Sequence, residues 1–344
     1  MPISLAILGL AHSHVGVYCD QWLSMPDQPI RITSAWDHDA DRLTMAAAKY
    51  GCNPCNSPAT AMAGCNAVII GAETSMHADL VELAAPAGNP IILQKPLALT
   101  LEQAERIVAA VAKHEAPFTL AWQMRVDPQN LEMKRLIQSG AIGRVYMVRR
   151  RHGLSTHTWS GFEGTWHVKP ELNRGMWADD ASHAIDFLLW LLGKPQSVVA
   201  EIDTLRSPKV PDDHGIAIFR YVDGTFAEVV SSFTCLAGEN TTEIVGEDGV
   251  IIQNYGDAPS SSVPRPKDAA GLKWFLKGAS DWRISPIPTP DNHRRRIEAL
   301  APELLGFLRG QRGPIATAQE GRTALAMTVA CYDAAATGRR VQIA

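Results

Sequence analysis

The chain has little cysteine, no long apolar run and no excess of positive charge, and each shortage removes a class of protein. Six cysteines, at positions 19, 52, 55, 65, 235 and 331, are too sparse for a disulfide scaffold, so reduced thiols are expected. Cys52 and Cys55 form a C-x-x-C, but Asn53 and Pro54 sit between them in a loop and no second pair completes a zinc site. No stretch approaches the ~20 apolar residues that span a bilayer, and Met1-Pro2-Ile3-Ser4 lacks the basic start of a secretion signal. A cytoplasmic protein without a membrane partner is expected. A net charge of −4 gives no electrostatic reason to bind nucleic acid. The runs Arg149-Arg150-Arg151 and Arg294-Arg295-Arg296 read as solvated faces.

What is present is an ordinary globular composition, 46% hydrophobic and 20% charged, over 344 residues. That length exceeds a single core and predicts two domains. In the first third, apolar strands at Ile3 to Leu8, Arg31 to Trp36, Ala67 to Gly71, Ile91 to Leu93 and Pro117 to Trp122 alternate with helical stretches. The helices are expected at Val15 to Leu23, Ala40 to Tyr50, Ser75 to Ala85 and Leu101 to His114. Such alternation implies a parallel sheet with right-handed crossovers, a dinucleotide-type domain over residues 1–122.

After Trp122 the pattern changes. Helices are expected at Asn130 to Ser139, ending on Gly140, and at Ala181 to Leu192, ending on Gly193. Strands at Ile216 to Val222 and Phe226 to Phe233 flank Asp223-Gly224, a hairpin signal. Thr242 to Val245 and Val250 to Asn254 flank a second turn, and Gly256 to Pro290 reads as a surface excursion and subunit contact. Residues 123–344 are therefore expected to form an α+β domain with a large, mostly antiparallel sheet.

Two regions carry chemistry. The turn after the first strand, Gly9-Leu10-Ala11-His12-Ser13-His14, keeps the first glycine of G-x-G-x-x-G and replaces the other two. Asp37, ending the second strand, is placed to accept hydrogen bonds from a ribose 2′-hydroxyl and to repel a 2′-phosphate, which favours NAD over NADP. His12-x-His14 is also a metal-binding pattern of barrel hydrolases, but the hairpins of the second half argue against a (β/α)₈ barrel, and no metal is expected. Lys95, in Gln94-Lys95-Pro96 straight after a buried strand, brings an ammonium to the carboxyl edge of the sheet. In Asp179-Asp180-Ala181-Ser182-His183, a helix opening at Asp179 would place His183 on the same face, a pairing suited to proton transfer.

Taken in order, these pieces resemble the glucose-fructose oxidoreductase/inositol dehydrogenase/MocA (Gfo/Idh/MocA) family over nearly the whole chain. The matching pieces are Gly9, Asp37, His77, Gln94-Lys95-Pro96 where the family has Glu-Lys-Pro, Met124-Arg125, Gly140 to Gly143, Asp179-x-x-x-His183-x-x-Asp186 and Gly338 to Val341. The resemblance implies a Rossmann domain followed by an α/β domain whose open sheet makes homodimer or homotetramer contacts. It implies NAD(P)-dependent oxidation or reduction of a sugar, polyol or sugar-acid-like substrate. Lys95, Asp179 and His183 would be catalytic. Gly9, Ala11, His12, Ser13, His14, Asp37, Ala72, Glu73, His77, Gln94 and Lys95 would hold the cofactor. Arg125, Asp179 and His183 would meet substrate. Apart from the resemblance, Arg174, a cation where the family has glycines, is a substrate-side candidate for an acidic sugar, against the commoner fate of a surface arginine. Trp159, Trp166 and Trp177 are candidate platforms for a sugar face, against the commoner fate of core or interface packing. Two other readings of the same fold stay open: an NAD-dependent glycosidase and a non-catalytic nucleotide or sugar sensor.

Overall fold

The computed structural model describes residues 2–237, 240–254 and 269–344, and the chain divides into two compact units. The first comprises Met1–Gln123, Glu171–Asn173 and Ile297–Leu325. Its strands and helices are β1 (Ile3–Leu8), α1 (His14–Ser24), β2 (Ile30–Trp36), α2 (Ala40–Tyr50), β3 (Asn53–Pro54), α3 (Pro58–Met62), β4 (Ala67–Ile70), α4 (His77–Ala84), β5 (Ile91–Leu93), α5 (Leu101–Lys113) and β6 (Phe118–Leu120). The strands form one sheet in the order β3-β2-β1-β4-β5-β6, and every pairing is parallel. This is the strand order of a doubly wound dinucleotide fold, with the order reversing beside β1. A parallel sheet covered on both faces needs strands without a polar side. β4 and β5 meet that need, each buried along its whole length.

The sequence pattern located these strands except β3, which has two residues, one of them proline, and so no periodicity to detect. It also assigned residues 297–325 to the second domain, whereas they pack with the first unit. Trp22 Nε1 donates to Ala301 O at 2.7 Å, Leu120 N to Ala316 O at 2.9 Å and Ile315 N to Thr119 Oγ1 at 2.9 Å.

The second unit comprises Met124–Pro170, Arg174–Arg296 and Ala326–Ala344. It contains α6 (Pro128–Gln138), β7 (Val145–Gly153), α8 (Ser182–Leu192), β8 (Ser197–Asp203), β9 (His214–Arg220), β10 (Phe226–Ser232), β11 (Thr241–Gly246), β12 (Gly249–Gln253), β13 (Leu272–Leu276), β14 (Arg283–Ile284) and β15 (Val341–Gln342); the short helix α7 (Pro170–Asn173) falls in chain order between β7 and α8. Among the described residues these strands make a nine-stranded sheet, β14-β13-β12-β11-β7-β10-β9-β8-β15, antiparallel except where β7 meets β10. Of the surface excursion expected at Gly256 to Pro290, residues 256–268 lie outside the described residues, while β13 and β14 extend the sheet in the remainder.

β7 shows how one face is fixed. Val148, Arg150 and His152 alternate inward while Arg149 and Arg151 point out. The arginine run is therefore not one solvated face. Arg150 is 1% exposed, donates to Thr242 Oγ1 at 2.6 Å and Gln253 Oε1 at 3.2 Å, and lies over the Phe187 ring of α8. The second run divides likewise: Arg296 is buried with its Nε 3.3 Å from Asp127 Oδ2. Asp127 also caps α6 by accepting from Gln129 N and Asn130 N. Among the described residues no helix is long and apolar enough to cross a membrane.

Candidate active site

At the carboxyl edge of the parallel sheet, Gly9 turns the chain out of β1 with φ +83°, and a Cβ there would lie 2.4 Å from Ala72 backbone atoms. The turn is tied to its neighbouring strands: His12 N donates to Gly71 O at 2.9 Å and Leu10 N to Asp37 Oδ2 at 2.7 Å. His12 and His14 are both buried, their rings 4.4 Å apart. Ser13 precedes α1 without a side-chain capping bond, and the first turn of α1 holds no acidic residue. His12 accepts from His14 N and Val15 N, and the rest of this helix start, free of protein carboxylates, suits the pyrophosphate of a dinucleotide, because its dipole favours an anion. Together with the carboxylate at the end of β2, these residues fit such a cofactor.

Asp37 is more heavily engaged than its position in the sequence implies. Oδ1 accepts from Asp39 N at 2.7 Å and Arg42 Nη2 at 2.8 Å, and Oδ2 accepts from Leu10 N and, at 3.1 Å, Arg42 Nε. Arg42 and Glu73 form a network with it that the sequence did not announce.

Lys95 follows β5, whose three residues are fully buried, and is itself 3% exposed. Its neighbour Gln94 is held by both ends: its N–H donates to Ile70 O and its Nε2 to Tyr18 OH at 3.3 Å. Burial raises the Tyr18 phenol well above its ordinary range, so it stays a neutral partner for that amide. His77 braces the same edge. Its Nδ1 lies 3.0 Å from Pro96 O and its Nε2 3.2 Å from Ala72 O, so the ring links the loop after β4 to the loop that carries Lys95.

Burial pushes the His77 pKa from 6.5 down to about 4. The unfolded chain therefore takes up the proton first as pH falls. The stabilisation is complete above about pH 6.5 and is lost as pH falls towards about 4, on the order of 3 kcal/mol in all. His77→Gln is expected to flatten the fall in melting temperature across that window; an unchanged slope would show that other groups set the acid limit.

In the second unit the expected start of the helix at Asp179 is displaced. Trp177–Ala181 forms a π-helical turn that runs into α8 at Ser182, so Asp179 lies inside a wide turn, not at a cap. The turn directs two consecutive carboxylates to two different imidazoles. Asp179 Oδ2 is 2.7 Å from His167 Nδ1, and Asp180 Oδ2 is 2.8 Å from His152 Nδ1. The His152 ring stands 6.4 Å from that of His183, nearly perpendicular to it. Asp179, His183 and His152 are each less than one-tenth exposed. His152 and His167 had no spacing signal: one is a lone histidine on a strand, the other a lone histidine in a loop.

The remaining candidates divide in kind. Arg125 and Asp186 are fully buried and form a bidentate pair, Nε to Oδ2 at 2.9 Å and Nη2 to Oδ1 at 2.8 Å. Trp166 stacks on His167 with ring centroids 4.0 Å apart. Trp177 is a core residue, 0% exposed, packed where a Cβ on Gly215 would come within 2.5 Å of its ring. Arg174 lies over the Tyr332 ring at 4.6 Å, and Tyr332 donates to Asp212 Oδ2 at 2.7 Å. The C-x-x-C thiols are buried and their pKa values raised by that burial, an environment for inert thiols.

A doubly wound parallel sheet with a dinucleotide turn, followed in one chain by a nine-stranded mixed sheet, is the architecture of a two-domain dinucleotide-binding protein. The chain belongs to the Gfo/Idh/MocA oxidoreductase family. Residues 3–121 match the family's NAD-binding Rossmann fold and residues 130–252 its C-terminal domain. The chain is 28% identical over 237 residues to levoglucosan dehydrogenase of Pseudarthrobacter phenanthrenivorans, an alignment spanning 60% of each protein. It is 28% identical over 281 residues to inositol 2-dehydrogenase 2 of Saccharopolyspora erythraea, spanning 79% of this chain and 75% of that one. A solved levoglucosan dehydrogenase, in complex with NADH and L-sorbose, shares the fold with a TM-score of 0.83 at 20% identity, covering 100% of both chains.

Proposed function

We propose that the protein is an NAD-dependent dehydrogenase or reductase that acts on a CH–OH group of a sugar, polyol or sugar-acid-like molecule. The observation that carries this reading is the group at the start of α8, where His183 stands beside a turn in which Asp179 is hydrogen-bonded to His167 and Asp180 lies 2.8 Å from His152. Such a group binds hydroxyls and moves protons, and its burial limits competition from water. The names of the matched relatives, inositol and levoglucosan dehydrogenases, support the substrate class.

Bound nicotinamide would supply the hydride acceptor. The turn from Gly9 to His14 would hold the pyrophosphate, and Asp37 the ribose end. Ala72, Glu73, His77 and Gln94 complete the cofactor edge, His77 and Gln94 through the loops they brace. His183 would take the hydroxyl proton, Asp179 would bind substrate or steer the imidazole, and the Lys95 ammonium would stabilise the developing alkoxide. Arg125, Trp166 and Arg174 would shape the substrate side. We place the protein in the cytoplasm as a homodimer or homotetramer assembled through the open face of the large sheet, where Ile216, Ile218 and Phe226 are exposed.

The test is NADH absorbance over a panel of sugars, polyols and sugar acids with NAD⁺. Turnover of at least one is expected. Release of an aglycone without net NADH would establish the glycosidase instead, and ligand binding without turnover the sensor.

A further inference from the structure

The ribose end of the nucleotide site contains a cation that is already shared. Asp39 caps α2, accepting from Asp41 N and Arg42 N, and so sets Arg42 in the first turn with its side chain reaching back over the end of β2. There the guanidinium grips both oxygens of Asp37. Glu73, just past β4 on the neighbouring strand connection, takes the same guanidinium from the other side: Arg42 Nη2 is 2.8 Å from its Oε1. The other Glu73 oxygen lies 3.0 Å from His38 Nε2, which is itself 3.1 Å from Arg42 Nη2. Glu73 is 2% exposed. Burial alone would raise its pKa, but hydrogen bonds from its own backbone, His38 and Arg42 outweigh this and lower it, so it is ionised at neutral pH. One arginine thus serves two carboxylates, so these three side chains together carry a net negative charge.

An unshared arginine beside the second strand is the natural partner of a phosphate monoester, because its planar fork meets two oxygens at once. We propose that Glu73 is a cofactor-selecting residue: by sharing Arg42 with Asp37 it withholds that guanidinium from a ribose 2′-phosphate and keeps the ribose end negative, so the site takes a dinucleotide with a free 2′-hydroxyl. This deepens the dinucleotide reading above and rests on it. The role assigned to Glu73 is selection by charge, distinct from support of the fold.

The test is equilibrium binding of NADH and NADPH to the full chain, followed by nicotinamide fluorescence, for the natural protein and Glu73→Gln. The natural protein is expected to bind NADH at least about tenfold more tightly than NADPH, and Glu73→Gln to narrow that ratio about tenfold, chiefly by tightening NADPH. Adding Arg42→Ala to Glu73→Gln is expected to remove the gain. If Glu73→Gln does not fold, salt serves on the unmutated chain. Raising ionic strength from about 0.05 to 0.5 M should narrow the preference for NADH, because a 2′-phosphate would meet these buried carboxylates from the side of the partly exposed Arg42 and His38, where salt screens. A ratio unmoved by Glu73→Gln or by salt, equal weakening of both nucleotides, or a natural preference for NADPH would overturn the assignment. A natural chain that binds neither nucleotide would overturn the dinucleotide reading itself.

Discussion

His183→Ala is expected to reduce turnover by about 10³-fold or more while leaving NADH affinity within about threefold, and Lys95→Met to do the same. In the proposed chemistry, removing the base would forfeit proton transfer and removing the ammonium would forfeit charge stabilisation of the alkoxide. Nucleotide affinity should survive because the Gly9 turn and Asp37 are fixed by other bonds: Leu10 N to Asp37, His12 N to Gly71 O and Arg42 to Asp37. Lys95 lies on the same edge, which Gln94, His77 and the buried strand β5 also hold. Single-turnover kinetics beside a fluorescence titration of NADH separates the two effects. Turnover within tenfold of the natural protein in either variant would remove that residue from the chemistry.

Asp186→Ala is expected to destabilise the second unit by about 3–5 kcal/mol. The Arg125 guanidinium is 2% exposed and the Asp186 carboxylate 0%, joined by two short parallel hydrogen bonds. Removing the acid strips two charge-assisted hydrogen bonds from a guanidinium that water cannot reach, and the desolvation of that buried charge is then no longer offset by the carboxylate. The pair ties the segment after β6 to the middle of α8, so the loss should be felt at the start of that helix, where His183 stands. Replacing both partners, as Arg125→Met with Asp186→Leu, is expected to recover much of the stability while impairing turnover. Denaturant unfolding of the single and double variants measures the coupling. A cost below about 1 kcal/mol for Asp186→Ala would mean that packing, not the ion pair, secures the helix.

The sequence displayed the parallel sheet because its strands are short apolar runs separated by helices of regular length, and Ile91 to Leu93 and Ala40 to Tyr50 appear in the structure with the bounds expected. It hid the strands whose information is not local. β3, β14 and β15 have two residues each, and β8 acquires its role only by pairing with β9 and β15. The charged runs misled for a related reason. Arg150 and Arg296 look like their neighbours in sequence, yet strand alternation turns the first inward and Asp127 receives the second.

At the site, Asp179 and His183 were visible as a spaced pair, but their surroundings were not. His152 and Asp180 are 28 positions apart, and His167 stands 12 before Asp179; only the path of β7 and the π-helical turn brings these partners together. The π turn also changes what the spacing means. Four residues correspond to one face of an α-helix, and Asp179 lies in a wider turn, where its identified partner is His167. On the nucleotide side, Asp37 was legible from its place at a strand end, whereas its sharing of Arg42 with Glu73 required the adjacency of β1, β2 and β4.

Direct passage of hydrogen from a CH–OH carbon to nicotinamide is the chemistry proposed for this chain. It is read most directly by supplying NAD⁺ with a polyol or sugar that the panel shows to be turned over, deuterated at its carbinol carbons, and weighing the nucleotide product by mass spectrometry. The expected result is NADH carrying a single deuterium, formed in step with the ketone or lactone. Formation of product with unlabelled NADH, or with no net NADH at all, would contradict it.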